Sequence, residues 1–343
     1  MSGTDGPLAT LQPLDPAAAV SVVIPARAAA GLLAGCLAAV LPQLRTGDEV
    51  LVAAGDAATR DAAATVAAPD GVTVRVLDNP AGTTPAALNV ALAAARNPVV
   101  VRVDAQARIP AGYRDRVVAV LADTGAVNVG GRQSARAPSG VARAIAAAMN
   151  ARLGHGGATY RGGTTSGPVD TVYLGAFRTD ALRSVGGYDE RFTTNQDAEL
   201  NERLRRAGGV VWFDAELTVT YLPRTTLRAL ARQFRGYGRG RAMTARRHPG
   251  SLGARQRAAP ALVLALAAAA VATPWTAVPL ALVAGGYGAG LVVGTLVEGG
   301  DGVRRLPLTV AALAVMHLSW GVGFLTAPAR PLPERPAGGE TPA

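Results

Sequence analysis

The sequence predicts an α/β protein built on a mostly parallel, doubly wound sheet, extended by an amphipathic helix and then by C-terminal helices of membrane-spanning length. Three observations carry that reading. Short β-branched runs alternate with longer Ala/Leu-rich segments over residues 20–104. The net charge of +10 is confined to the last third of the 343 residues. Forty consecutive uncharged residues separate Arg257 from Glu298.

Residues 1–18, rich in Pro, Gly, Ala and Asp, read as a disordered tail ahead of a domain spanning 19–223. Ser21 to Ile24 forms a buried strand that stops at Pro25, and a helix follows over 30–41. A strand from Glu49 to Ala53 precedes a helix at 57–67, and a strand from Val72 to Leu77 precedes one at 84–95. A fourth strand, Val99 to Val103, ends at Asp104. Ligands of such sheets sit beyond the carboxyl ends of the strands, where Pro25, Ala54 to Asp56, Asp78 and Asp104 fall. After residue 126 the order changes. Val127 to Gly130, Val169 to Phe177 and Val210 to Tyr221 read as strands, with helices at 139–150, 179–185 and 196–207 and a Gly/Thr-rich loop from Gly154 to Gly167.

Charge divides the chain. Residues 1–216 balance 20 arginines against 20 acids, whereas 217–343 set 14 arginines against Glu298, Asp301, Glu334 and Glu340; no lysine occurs. The basic cluster adjoins the most apolar stretches, so it points to an anionic membrane surface and away from nucleic acid. Within the basic segment 224–257, helical spacing aligns Leu227, Leu230, Phe234 and Tyr237 opposite Arg228, Arg232, Arg235 and Arg239, the pattern of an interfacial helix. Gly236, Gly238 and Gly240 weaken that helix and call for a supporting surface. The 40-residue run would span about 60 Å as helix, twice a bilayer core. It therefore divides at Thr273-Pro274-Trp275 into helices at 259–273 and 277–297, followed by a third at 306–326 and a Pro-rich tail at 328–343. The positive-inside rule places the arginines on the cytoplasmic side of a multi-pass protein of the cytoplasmic membrane, with the N-terminal domain. Residues 1–19 lack a basic region followed by an apolar run, so no secretory signal is expected. A single cysteine, Cys36, excludes an intramolecular disulfide and a Cys-based metal site.

Asp104, in Arg102-Val103-Asp104-Ala105-Gln106, is placed either to hold Mg²⁺ or Mn²⁺ against phosphate oxygens or to form a turn. Asp78-Asn79-Pro80 reads as a turn. Asp197 opens the helix at 196–207 on the edge of its Leu200, Leu204, Ala207 stripe, which suits a general base or a helix cap equally. Glu199 and Glu202 are expected to be solvated or paired with arginines. His155 and His248 read as loop or surface residues, while His317, inside the third apolar run, faces a neighbouring helix.

Val169 to Phe177, Val185 to Phe192 and Asn195-Gln196-Asp197, continued by Arg232 to Arg241 and His248-Pro249-Gly250-Ser251-Leu252, make the chain resemble family-2 glycosyltransferases of the GT-A fold. The likeness covers roughly residues 20–330 and is nearest the type found in bacterial succinoglycan biosynthesis. It implies an inverting enzyme in which Asp197, after Gln196, is the general base, and Asp104 with Gln106 holds Mg²⁺ or Mn²⁺. It also implies donor contacts at Pro25, Arg27, Asp56, Asn89, Gly175 and Ala176, and acceptor contacts at Gln196, Gln233, Arg235 and Tyr237. The partners implied are a nucleotide sugar, taken as a UDP-linked hexose, and a polyprenyl-linked or glycan acceptor at the membrane. Three positions depart from the family pattern. Ala54 stands where a base-contacting Asp is usual, Arg27 leads into Ala28-Ala29-Ala30, and the second metal-site residue is the neutral Gln106. Those departures leave a catalytically silent scaffold of a membrane polysaccharide-assembly complex as the alternative.

Overall fold

A computed structural model describes residues 6–8 and 11–328. The chain runs through β1 (Val20–Ala26), α1 (Ala30–Val40), β2 (Glu49–Ala54), α2 (Ala57–Ala64), β3 (Thr73–Asp78), α3 (Thr84–Ala94), β4 (Val99–Arg102) and β5 (Ala107–Arg108). It continues through α4 (Tyr113–Thr124), β6 (Asn128–Ala135), α5 (Gly140–Asn150), α6 (Arg152–His155), α7 (Thr159–Gly162), β7 (Gly167–Pro168) and β8 (Tyr173–Arg178). After α8 (Thr179–Ser184), α9 (Gln196–Arg206) and β9 (Val211–Tyr221) come α10 (Leu227–Arg247), α11 (Ala258–Val271), α12 (Val278–Glu298), α13 (Gly300–Arg304) and α14 (Leu306–Leu325). Two compact units result. The first takes the described residues up to Ser134 with Gly163–Tyr221; the second takes Ala135–Gly162 and the described chain from Leu222 on.

In the first unit the strands lie in the order β3-β2-β1-β4-β8-β6-β9-β5, with β7 beside β9. The four strands β3, β2, β1 and β4 are mutually parallel, with Ile24 opposite Val52 and Val22 opposite Val101. β8 then runs antiparallel to β4 and to β6, and β5 and β7 each run antiparallel to β9, so the sheet as a whole is mixed. Strand periodicity explains why both faces are covered. Val20, Val22 and Ile24 pack with Leu33, Leu37, Val117 and Leu121 of α1 and α4. Val23, Leu51 and Ala53 pack with Leu88 of α3, Leu182 of α8 and Leu200 of α9. Helix α4 has no counterpart in the sequence reading, because Arg114, Asp115 and Arg116 interrupt its apolar period.

The N-terminal stretch departs from expectation. Leu8 is buried, its amide donating to the Ala207 carbonyl at 3.0 Å, and Leu11 and Leu14 pack on the cores. Its composition suggests disorder, but three leucines supply enough apolar contact to dock residues 6–8 and 11–18. The expected tail beyond residue 328 lies outside the described residues.

A buried ion pair ties the sheet's amino edge together. Asp48, fully buried, accepts from the amides of Val20 and Arg45 and from Nε and Nη2 of Arg114, both at 3.0 Å. Across the sheet, β8 bends at Leu174 and Gly175, with φ of 63° and 92°, where its register with β6 shifts. This bulge carries the strand past the end of β4.

In the second unit, α10 shows the expected amphipathicity. Leu230 and Phe234 are buried, while Arg228, Arg232, Arg235 and Arg239 are exposed. The surface that supports its glycines is α14: a Cβ on Gly238 would lie 1.9 Å from the Trp320 carbonyl oxygen, and one on Gly323 2.0 Å from that of Arg235. Helices Ala254–Val271, Val278–Glu298 and Leu306–Leu325 are long and apolar enough to cross a membrane. His317 of α14 meets Tyr287 Oη of α12 at 3.0 Å, as its placement in an apolar run suggested.

Replacing Asp48 by Ala leaves the buried Arg114 guanidinium with only the half-exposed Asp115 carboxylate and the Ala18 carbonyl as partners and costs about 3 kcal/mol, read as a thermal midpoint lowered by roughly 10 °C. Gly175→Ala should cost at least about 2 kcal/mol, because a left-handed backbone there would carry a Cβ into its neighbours. That Cβ would lie 2.6 Å from the Phe177 ring and 2.8 Å from Asn128 Oδ1. An unchanged midpoint in either variant would contradict these contacts.

Candidate active site

The candidate site lies at the carboxyl ends of the parallel strands of the first unit. β4 delivers Arg102, and the chain turns directly after it, the Ala107 amide donating to the Asp104 carbonyl at 2.8 Å. Gln106 lies on that turn. Beneath it, the Cys36 thiol of α1 contacts the same carbonyl at 3.6 Å. Burial, with Asp104 adding and Arg108 opposing, pushes that thiol up to about 12; it is a packing residue and no nucleophile.

Arg102 is 4 % exposed and lies between two carboxylates. Its Nε donates to Asp104 Oδ1 at 2.8 Å and its Nη2 to Asp104 Oδ2 at 3.2 Å, while Nη1 donates to Asp197 Oδ1. Asp197 enters from the first turn of α9, which starts after Asn195 in a left-handed conformation with φ 64°. Residual side-chain exposure is 14 % for Asp104 and 33 % for Asp197, so both carboxylates remain reachable from solvent. Burial raises the Asp197 pKa; the Arg102 charge and hydrogen bond oppose this, and the Asp104 charge adds to it. A carboxylate tuned upward in this way suits proton abstraction better than an ordinary surface Asp.

Two phenols border the cluster. Tyr188 is buried and Tyr173 of β8 half-buried, and desolvation raises both pKa values; Asp104 adds to the rise at Tyr173 and Asp197 at Tyr188, with Arg102 opposing at each. Ala176 is buried in β8 between Val101 and Val129. The room beside Gly175 is filled by Phe177 and Asn128, so this glycine serves the bend of the strand.

On the expected donor side, Pro25 lies opposite Ala53, and β1 runs one residue past it to Ala26. Arg27 runs from Gly55 to Gly82, donating to the Gly82 carbonyl at 3.0 Å. Asp56 caps α2: it accepts from the Ala28 amide at 2.7 Å, the Thr59 amide at 3.0 Å and Thr59 Oγ1 at 2.7 Å. These bonds, Ala28 foremost, hold its carboxyl below the ordinary range, and they secure Ala28 at φ 50°. Asn89 is likewise engaged within the protein, donating to the Tyr188 carbonyl and Glu190 and accepting from the Tyr188 amide. Asp78 pairs with Arg60 on the surface. Glu199, expected to be solvated or paired, is buried and paired with Arg203, and Glu202 pairs with Arg205 and Arg206.

Gln196, the first residue of α9, is buried. The remaining acceptor-side positions belong to the second unit, where Gln233 Nε2 donates to Tyr237 Oη at 2.9 Å and Arg235 is exposed. Of the expected site residues, the structure therefore brings Asp104 and Asp197 onto one guanidinium. Arg102 is the residue the sequence reading passed over. Its signal was available: a charge at the end of Val99-Val100-Val101, a run that must be buried, has to be paired.

Comparison with known proteins identifies the family and the fold. A family model described as glycosyltransferase like family 2 matches residues 16–238. The succinoglycan biosynthesis protein ExoA of Rhizobium meliloti (strain 1021) is 36 % identical over 258 residues, covering 73 % of this chain and 76 % of that protein. Among solved structures, the mannosyltransferase PcManGT of Pyrobaculum calidifontis, in complex with GDP-Man and Mn²⁺, aligns with a TM-score of 0.57 at 19 % identity, covering 92 % of this chain and 90 % of its own. That second likeness is one of fold, the GT-A fold. On the match over 16–238, the chain belongs to the family-2 glycosyltransferases.

Proposed function

We propose that the protein is a membrane-anchored, inverting glycosyltransferase that moves a hexose from a nucleoside diphosphate to a lipid-linked or polysaccharide-precursor acceptor. The observation that carries this reading is the meeting of Asp104 and Asp197 on Arg102 at the carboxyl edge of the parallel strands. Asp197 takes the proton of an acceptor hydroxyl, whose oxygen attacks the anomeric carbon from the face opposite the diphosphate. The bond from that carbon to the diphosphate oxygen breaks with inversion. Single displacement requires the base and the leaving group on opposite faces of the sugar. The pair of Asp104 and Asp197 is intact despite Ala54 and Gln106, and this favours an enzyme over a silent scaffold.

Among the described residues, no group of three or more His, Cys, Asp or Glu is arranged to hold a metal ion. Asp104, whose two oxygens each accept one Arg102 hydrogen bond, has further lone pairs to offer, and Gln106, two residues on, could add a neutral oxygen. This donor set fits an Mg²⁺ or Mn²⁺ that takes most of its ligands from the diphosphate. Such an ion would neutralise the charge that develops on the leaving diphosphate. The succinoglycan function of the 36 % identical relative supports a polysaccharide-precursor acceptor.

Membrane anchoring is supported by exposed apolar residues along α11, α12 and their connection. Trp275 and Val297 are each 81 % exposed, and Val271 and Leu282 each 70 %, an area no aqueous monomer leaves open. The exposed arginines of α10 support an interfacial helix on the cytoplasmic side.

Asp197→Asn should reduce sugar transfer by at least about 10³-fold while nucleotide binding stays within a few-fold of wild type; transfer at the wild-type rate would remove Asp197 from the mechanism. In the wild type, transfer should fall as pH drops through an apparent pKa above the ordinary Asp value, because only the ionised base accepts the proton. Chelation of divalent cations should abolish transfer from membranes containing the full chain, and added Mg²⁺ or Mn²⁺ should restore it. Full activity in excess chelator would exclude a metal-assisted leaving group.

A further inference from the structure

We infer that Arg102 is a positioning residue with two linked duties: it aims the Asp197 carboxylate, and it bars a divalent cation from Asp104 unless a nucleoside diphosphate arrives with it. The inference rests on the metal reading above and concerns a residue that reading does not use.

The geometry carries it. Three N–H donors of a rigid planar fork, one on each nitrogen, are spent on two carboxylates: both oxygens of Asp104, at 2.8 and 3.2 Å, and one oxygen of Asp197. No acid of the cluster is thus left without a counter-charge. At 4 % exposure the guanidinium cannot swing into solvent when another cation approaches. A divalent ion at Asp104 would sit next to this fixed positive charge in a partly dry site, where repulsion is poorly screened. One carboxylate already shared with an arginine, plus the neutral Gln106, does not offset that repulsion. The diphosphate does, because it brings negative charge and additional oxygen ligands. The ion therefore enters with the nucleotide and leaves with it, and Asp104 stays paired in between.

The same fork fixes Asp197. An aspartate on the first turn of a helix has rotamer freedom, and a base misplaced by 1 Å forfeits about two orders of magnitude in rate. One guanidinium bonded to both acids sets their spacing. A lysine at position 102 would keep the charge but could not hold three carboxylate oxygens in one plane.

The test measures Mn²⁺ binding by electron paramagnetic resonance on the full chain in detergent, with and without GDP or UDP, beside steady-state transfer. Wild type should take up Mn²⁺ at least about 10-fold more tightly with one of the nucleotides than alone. Arg102→Met should gain nucleotide-free Mn²⁺ binding. Arg102→Lys, which preserves the charge and guards against loss of folding, should still refuse the free ion. Its kcat should drop by about 100-fold with donor KM within about 3-fold of wild type. Nucleotide-free Mn²⁺ binding in the wild type as tight as in the ternary mixture would overturn the proposal while leaving metal-dependent transfer standing. So would an unchanged kcat in Arg102→Lys. Mn²⁺ binding under none of these conditions, with transfer intact, would overturn the metal reading and this proposal together.

Discussion

One buried guanidinium organises the catalytic unit. Two carboxylates a few ångströms apart in a partly dry cleft repel each other, and without a counter-charge one of them would hold a proton. Arg102 removes that conflict, yet a buried charge is tolerated only when its geometry is met on every side. The surrounding fold meets it. β4 ends where the fork must be, the turn at Asp104 brings the first acid back onto it, and α9 begins where Asp197 can reach the third nitrogen. The bulge at Leu174 and Gly175 occurs on β8, the strand beside β4. A left-handed leucine is costly, and its place next to the site suggests that sheet geometry yields there to the requirements of the cluster.

Much of this was legible from the chain alone, for reasons that can be stated. The parallel strands announce themselves because each is buried on both faces, so β1 and β4 read as unbroken apolar runs. Their carboxyl ends located Asp104, and the stripe of α9 turned Asp197 inward. Asp56 and Asn89 show where such reading ends. Both stand at sequence positions that suit a ligand, but the carboxylate of Asp56 is consumed in fixing Ala28, and the amide of Asn89 in fixing the turn at Tyr188. A polar side chain at the rim of a site has two possible employers, substrate and loop, and spacing does not distinguish them. Arg102 was missed for a related reason. As a single arginine among 34 basic residues it carries no compositional signal; what marks it is its place at the end of an apolar run that must be buried.

The second unit shows the same limit from another direction. Periodicity separated the arginine stripe of α10 from its apolar stripe, and exposure follows that division. The glycines, however, read as a weakness to be compensated, whereas they are the contact itself. The approach of Gly238 to the Trp320 carbonyl and of Gly323 to that of Arg235 leaves no space for a methyl group. Close approach of two helix backbones through small residues holds without a hydrophobic driving force, as it must where lipid surrounds the helices. A basic helix locked in this way onto an apolar one cannot tilt or sink independently of it. Its exposed arginines keep a fixed height relative to α14, and a fixed height is what a helix needs if it is to hold a charged acceptor headgroup at the interface while the acceptor's apolar chain stays in the bilayer.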